Sequence, residues 1–139
     1  MVKIIQGHPV VPGESKGEIL FSSESLSFWG GYDSQTGEII DRRHPLCGRI
    51  AAGCILAIPT TRGSSTTTAV LLEAIRAGTA PGAIITRGVD QFLALASVVA
   101  EVMYSKPIPI IALDDEDFDA LENGKMMHVK QDGTVEIFD

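Results

Sequence analysis

The 139 residues carry a formal net charge of −7, and 45% of them are hydrophobic whereas 21% are charged. This balance is typical of a globular chain and excludes extensive disorder. The acidic surplus argues against nucleic-acid binding, which requires basic patches. No apolar run has the length of a membrane span, so we expect a cytoplasmic protein that does not enter membranes and forms one domain over residues 1–139.

The first half of the chain carries strand and turn patterns. Short apolar runs predict strands at 3–5 and 17–21, separated by a turn-rich piece at 7–15. The stretch 22–37 is rich in serine and glycine and predicts a long loop, and 38–41 predicts a further short strand. We therefore expect strands and loops in this half.

The second half alternates apolar strands with helices. Runs of strand length predict buried strands at 54–58, 83–86 and 108–113. Apolar residues at helical spacing predict helices at 66–77, from an Asp90 cap to about Tyr104, and at about 116–122. Gly78 is the predicted C-terminal cap of the first helix.

The order of these elements predicts the fold class. Parallel strands with helical crossovers account for the strand–helix–strand–helix–strand run. The strands predicted at 126–130 and 134–138 form a hairpin, and with the N-terminal strand they suggest a second layer. We predict an α/β fold of three layers, β/β/α, with a central parallel sheet and an antiparallel layer.

Residues 59–68 form the main candidate site. They place seven hydroxyl side chains, Arg62 and Gly63 between the strand at 54–58 and the helix at 66–77. Several backbone N–H groups are unpaired at a helix N-terminus, where they bind an anion or stabilise a serine alkoxide. Simple capping needs only one hydroxyl. The surplus therefore favours a functional site, and Arg87, after the next strand, is a further candidate for anion binding.

The segment 27–33 is the second candidate. It places Phe28, Trp29 and Tyr32 around Gly30 and Gly31. One interpretation is a loop held in place by a buried tryptophan, and the other is a mobile flap or a contact surface for another protein.

Three remaining features have a structural and a functional interpretation. His44 could act as a base or a phosphoryl carrier, although an isolated histidine in a turn is more often neither. The acidic run 114–119 is interpreted as a solvated loop and first helical turn rather than a metal site. Cys47 and Cys54 are too few to hold an iron–sulfur cluster and are interpreted as buried small apolar residues.

A series of short motifs resembles one known family. The order Leu26-Ser27-Phe28-Trp29-Gly30-Gly31, then His44-Pro45-Leu46, then Arg62-Gly63-Ser64-Ser65 is similar to the swivel domain of aconitase X proteins. The resemblance covers nearly the whole chain. Thr67-Thr68 departs from the pattern, because relatives often carry Gly-Ser there.

The resemblance implies an activity and a partner. The family implies the swivelling β/β/α domain and the dehydration of a small anionic hydroxy acid. By position, Ser64 would be the base, and substrate contacts would come from Arg62, Gly63, Ser65 and Thr66. The resemblance further implies an iron–sulfur cluster, of the [4Fe–4S] type, on a large subunit. This chain itself would bind no metal.

Two substrates and one other class of function stay open. Family members resemble either phosphomevalonate dehydratase small subunits of archaeal-type mevalonate pathways or cis-3-hydroxy-L-proline dehydratases, and the short chain favours the first. The alternative of another class is a non-catalytic module that binds an anion or a partner protein through the same helix N-terminus.

Overall fold

The structure, a computed structural model, describes residues 2–62 and 66–138. Within these residues the chain forms eight strands and three helices. The strands are β1 (Val2–Gln6), β2 (His8–Val11), β3 (Ser15–Phe21), β4 (Ile55–Ala57), β5 (Ala83–Arg87), β6 (Ile110–Leu113), β7 (Met126–Val129) and β8 (Thr134–Phe138). The helices are α1 (Thr66–Ala77), α2 (Gln91–Tyr104) and α3 (Asp115–Asp119). None of these helices is long and apolar enough to cross a bilayer.

The strands are joined in the order β1-β8-β7-β3-β4-β5-β6-β2. Strands β3, β4, β5 and β6 run parallel, whereas β1, β8, β7 and the first half of β3 pair antiparallel. Strand β3 belongs to both parts, because residues 15–18 pair with β7 and residues 19–21 pair with β4. The predicted parallel sheet and antiparallel layer are therefore confirmed.

Both faces of the parallel sheet are buried, since successive side chains of a strand point to opposite faces. On one face, Leu56 and Ile84 pack with α1, α2 and the loop that contains Phe28. On the other face, Ile55 and Ile85 pack against the antiparallel strands. The layers therefore follow the order β/β/α, as predicted.

Capping residues set the start of α2 and the end of α1, as the sequence predicts. Asp90 caps α2, and its side chain accepts hydrogen bonds from the N–H groups of Phe92 and Leu93. Gly78 follows α1 with φ of 81°, and its N–H donates to the Ile75 carbonyl. Only glycine adopts such a left-handed conformation at little cost, which explains why the helix ends there.

Three predicted elements need correction. The turn-rich piece at 7–15 contains strand β2, which pairs with β6 at the edge of the sheet, where Pro9 removes no interior hydrogen bond. The strand predicted at 38–41 is wrong, because Glu38 and Ile39 form only isolated bridges. Helix α3 begins one residue earlier than predicted and ends at Asp119.

Candidate functional site

The site predicted from the sequence lies at the junction between β4 and α1. This junction is at the carboxyl edge of the parallel strands, where ligands commonly bind in open α/β sheets. Three of the predicted site residues, Gly63, Ser64 and Ser65, lie outside the described residues. The described flanks of this segment therefore define the candidate site.

A buried aspartate holds the flank before that segment. Asp90 is 8% exposed, and its Oδ2 accepts hydrogen bonds from the backbone N–H and the hydroxyl of Thr61, at 2.8 and 2.7 Å. Its Oδ1 accepts from the N–H groups of Phe92 and Leu93, both at 3.1 Å. One carboxylate thus fixes the loop and the start of α2 together.

The flank after the segment is attached to the same turn of α2. The hydroxyl of Thr68 donates to the Phe92 carbonyl at 3.1 Å. On the other side of the loop, the N–H of Arg62 donates to the Leu26 carbonyl at 3.0 Å, and Thr61 forms a bridge with Leu26. Residues 63–65 are therefore joined to two flanks that are both anchored on neighbouring elements.

The predicted substrate contacts that the structure describes are exposed. The Arg62 side chain is exposed, and no ion pair between described residues includes it. Thr66 is the first residue of α1 and is exposed as well. The next residue, Thr67, is buried, and its hydroxyl has no hydrogen-bond partner in the part of the chain that the structure describes. A cationic side chain and an unsatisfied hydroxyl therefore flank the predicted base.

The Arg87 side chain forms ion pairs with α3. Its guanidinium pairs with Asp119 at 3.1 Å and Asp115 at 3.9 Å, and it lies over the Phe118 ring at 5.4 Å from the centroid. These contacts fasten α3 to the end of β5. The acidic run therefore serves in part to hold this arginine, which leaves Arg62 as the better candidate for anion binding.

The loop at 27–33 is held by a different aromatic residue from the one expected. Phe28 is fully buried and stacks on Tyr32, with ring centroids 5.1 Å apart. The Tyr32 hydroxyl donates to the Thr79 carbonyl at 2.7 Å. Burial raises the pKa of Tyr32 well above its usual range, so the hydroxyl keeps its proton. Trp29 is 71% exposed, and so the interpretation that it holds the loop by burial is wrong.

Two glycines shape this loop. Gly30 has φ of 75°, which favours glycine. A Cβ on Gly31 would lie 2.1 Å from the Ser27 carbonyl oxygen, so no larger residue fits. The tight turn leaves Trp29 exposed to solvent, three residues after Leu26, which bridges to Thr61.

His44 is a structural residue in this arrangement. It is buried, and the N–H of Leu46 donates to Nδ1 at 3.1 Å. Because Nδ1 accepts, Nε2 carries the hydrogen and donates to the Glu24 carbonyl at 3.1 Å. Neither ring nitrogen is left to accept a phosphoryl group or a substrate proton.

The described residues contain no metal site. Within 2–62 and 66–138 no group of three or more histidine, cysteine or acidic side chains is placed to hold a metal ion. Cys47 is exposed, so the prediction that it is buried is wrong, and Cys54 is half-buried. Burial and then the charge of Glu18 raise the pKa of the Cys54 thiol. An iron–sulfur cluster requires several thiolates, so these residues do not fit one.

Two known proteins are similar to this chain in sequence. A cis-3-hydroxy-L-proline dehydratase of Pseudomonas aeruginosa is 48% identical over 118 residues, covering 85% of this chain but 20% of that protein. A phosphomevalonate dehydratase small subunit of Methanopyrus kandleri is 34% identical and is covered over 98% of both chains. The chain therefore spans about a fifth of the first relative and nearly all of the second.

A solved structure and a family profile place the fold. The crystal structure of Thermococcus kodakaraensis aconitase X in its holo-form matches with a TM-score of 0.87 and 30% identity, covering 99% of both chains. The sequence profile described as the aconitase X swivel domain matches residues 4–137. The chain thus belongs to the aconitase X swivel domain family.

Proposed function

We propose that this chain is the small subunit of an aconitase-X-type hydro-lyase and contributes the base to a shared active site. The observation that carries the proposal is the β4–α1 junction, whose described flanks at Thr61 and Thr68 are both hydrogen-bonded to the start of α2, in a chain that belongs to the swivel domain family. Among the described residues no group of three or more histidine, cysteine or acidic side chains is placed to bind a metal ion, so the proposal assigns the cluster to a larger chain.

The reaction removes water from two adjacent carbons of a hydroxy acid. Ser64 takes the proton from the carbon next to the carboxylate, a carbon–carbon double bond forms, and the hydroxyl on the neighbouring carbon leaves with a second proton as water. The N-terminus of α1 stabilises the serine alkoxide, because its unpaired N–H groups favour negative charge. An iron–sulfur cluster on the larger chain would supply the Lewis acid for the departing hydroxyl.

The exposed side chains around the junction have roles in this proposal. Arg62 pairs with the substrate carboxylate, with Gly63, Ser65 and Thr66 as further contacts. Trp29 contacts the larger chain or the bound substrate, because it is exposed in the loop that is bonded to the Thr61–Arg62 segment.

The first substrate candidate is cis-3-hydroxy-L-proline, in place of the phosphomevalonate that the length of the chain favours. Its support is the sequence identity, which is 48% to the Pseudomonas aeruginosa dehydratase against 34% to the Methanopyrus kandleri small subunit. A single carboxylate also suits an edge at which Arg87 is tied to Asp119 and Arg62 is the candidate cation. The second candidate is (R)-5-phosphomevalonate, dehydrated to trans-anhydromevalonate 5-phosphate, which has the same hydroxy-acid grouping and is named for relatives from several archaea.

Co-expression with the large-subunit chain of the same organism tests the proposal. The assembled protein should dehydrate one of the two substrates, and Ser64→Ala should lower turnover at least ~100-fold, as general-base removal usually does. Ser65→Ala is the matched control and should raise KM more than it lowers kcat. Near-normal turnover by Ser64→Ala would show that another group is the base.

The same proteins distinguish the alternative class of function. If the isolated chain binds a hydroxy acid or inorganic phosphate tightly, and the assembled protein dehydrates neither substrate, the chain is a non-catalytic binding module and the proposal fails.

A further inference from the structure

Helix α2 is apolar on its outer side as well as on its inner side. Leu93, Ala96 and Ala100 face the core and are fully buried. The outer side carries further apolar side chains, most of which are at least half exposed. Together with Val89, two residues before the helix, they form a surface that we call the α2 strip: Val89, Phe92, Leu95, Val98, Val102 and Met103. Glu101 is the one charged residue of the helix. A helix that is apolar all round is normally buried inside a larger protein.

Helix α1 shows what an ordinary solvent-facing helix of this fold looks like. It packs beside α2 on the same face of the sheet, with Leu71 and Ile75 turned to the core. Its outer side carries an ion pair between Glu73 and Arg76, whose side chains are 40% and 54% exposed. Both helices cover the same face of the sheet, so an apolar outer side is a property of α2 and not of every helix in this layer.

The α2 strip begins at the candidate active site. Val89 precedes the capping residue Asp90, which holds Thr61, and the Phe92 carbonyl accepts the hydrogen bond from Thr68. From there the strip follows the helix for about 20 Å, at 1.5 Å per residue. A protein that covers the candidate site from this side would therefore also cover the strip.

We infer that the α2 strip is a docking surface for the large, cluster-bearing subunit, an inference that rests on the proposed function. In the proposed function the large subunit supplies the cluster, because no described group of side chains is placed to bind a metal ion. The large subunit would then approach the edge of the sheet where the strip begins. In the hydroxyproline dehydratase relatives about four-fifths of the protein lies outside the matched stretch, so such a swivel domain is joined to a much larger body. A second copy of this chain is a poorer occupant, because two chains with a net charge of −7 repel each other.

The test measures two quantities in the two-chain enzyme: the affinity of this chain for the large subunit, and the turnover of the assembled protein. The double variant Leu95→Glu/Val102→Glu places two charges in the strip, at positions that are 53% and 81% exposed, so the fold should tolerate them. The control is Ile4→Glu, which changes an apolar side chain that is 64% exposed on edge strand β1. If the double variant lowers the melting temperature, the single variant Val102→Glu is used for the binding measurement instead.

We expect the double variant to bind the large-subunit chain of the same organism at least ~100-fold more weakly, since each buried charge should weaken binding about tenfold. Its turnover should recover at saturating large subunit, whereas Ser64→Ala should assemble normally and stay inactive. The control should bind like the unsubstituted chain.

Two results would overturn the inference without touching the proposed function. One is unchanged affinity of both strip variants in an enzyme that is active. The other is an isolated chain that forms a dimer, which becomes monomeric on substitution of the strip. Failure of the unsubstituted chains to assemble or to dehydrate either substrate would remove the proposed function together with the inference.

Discussion

In the loop at 27–33, the adjacent residues Phe28 and Trp29 have opposite environments. Phe28 is fully buried and stacks on Tyr32, whereas Trp29 is 71% exposed. An aromatic residue stabilises a loop through the area that it buries, and the larger ring is here the one left in solvent. Trp29 is therefore available for a contact outside the chain.

This difference predicts opposite effects of two truncations. Phe28→Ala should lower the free energy of unfolding by about 3–5 kcal/mol, because it opens a cavity in the core. Trp29→Ala should change it by less than about 0.5 kcal/mol, as is usual at exposed positions. Urea denaturation followed by circular dichroism measures both. A large loss of stability in Trp29→Ala would mean that the ring is buried in solution.

At the scale of elements, Asp90 couples a loop to a helix. Four donors converge on its two oxygens, two from Thr61 and two from the first turn of α2. The loop that leads into Gly63-Ser64 therefore takes its position from α2. We interpret Asp90 as a positioning residue, since it acts on the predicted base only through the backbone.

The substitution Asp90→Asn tests the capping of α2 and the binding of Thr61 separately. The remaining oxygen still caps α2, but the new amide group cannot accept hydrogen bonds from Thr61. In the assembled enzyme we expect kcat to fall about tenfold with little change in KM, because misplaced catalytic groups slow the chemical step. Steady-state kinetics and thermal unfolding measure the two effects separately.

The control for this prediction is Asp132→Asn in the β7–β8 turn, where the side chain accepts from the Thr134 N–H. The neighbouring Gln131 lines a cavity with Glu101 and Ser105 at the C-terminal end of α2, whereas Asp90 caps its N-terminal end. The substitution should therefore leave turnover unchanged. Thr61→Val should lower kcat in the same direction as Asp90→Asn. Normal kcat in Asp90→Asn would mean that the loop is positioned by other contacts.

The whole molecule depends on β3, which joins its two sheets. Gly17 lies in the half of β3 that pairs with β7, next to the residues that pair with β4. A Cβ at this position would lie 2.8 Å from the Gly53 backbone oxygen, a contact that a flexible side chain cannot relieve. The crossing from one layer to the other therefore requires a glycine here.

Gly17→Ala should accordingly lower the free energy of unfolding by about 1–3 kcal/mol, the usual cost of overpacking. The two hydrophobic clusters share the parallel sheet, so we expect one cooperative transition in both far-UV and near-UV circular dichroism. Lys3→Ala, at an exposed position of β1, is the control and should be neutral. A stable Gly17→Ala variant would show that the strand can shift at low cost.

Elements with strong local signals were predictable from the sequence. The apolar runs at 54–58 and 83–86, the Asp90 cap and the Gly78 stop all give helices or strands at the predicted places. Strand β2 was missed because Pro9 is a strand breaker except at a sheet edge, and only the fold makes that strand an edge.

The candidate site was predictable only in part. Gly63-Ser64-Ser65 is part of a motif that can be read from the sequence, and together with the motifs at 26–31 and 44–46 it indicates the family. The partner of Thr61 was not predictable, because Asp90 already has a local role as a helix cap. Nothing in the local sequence shows that its second oxygen is free to bind a loop 29 residues away.

The sequence by itself determined the family and the β/β/α layers, and it predicts where the candidate chemistry lies. Periodicity, caps and short motifs are local properties, which the order of residues encodes directly. Only the tertiary structure decided that Trp29 is exposed, that Arg87 is occupied by Asp119, and that α2 presents an apolar strip. Exposure and pairing depend on which distant segments pack together, and no local pattern contains that information.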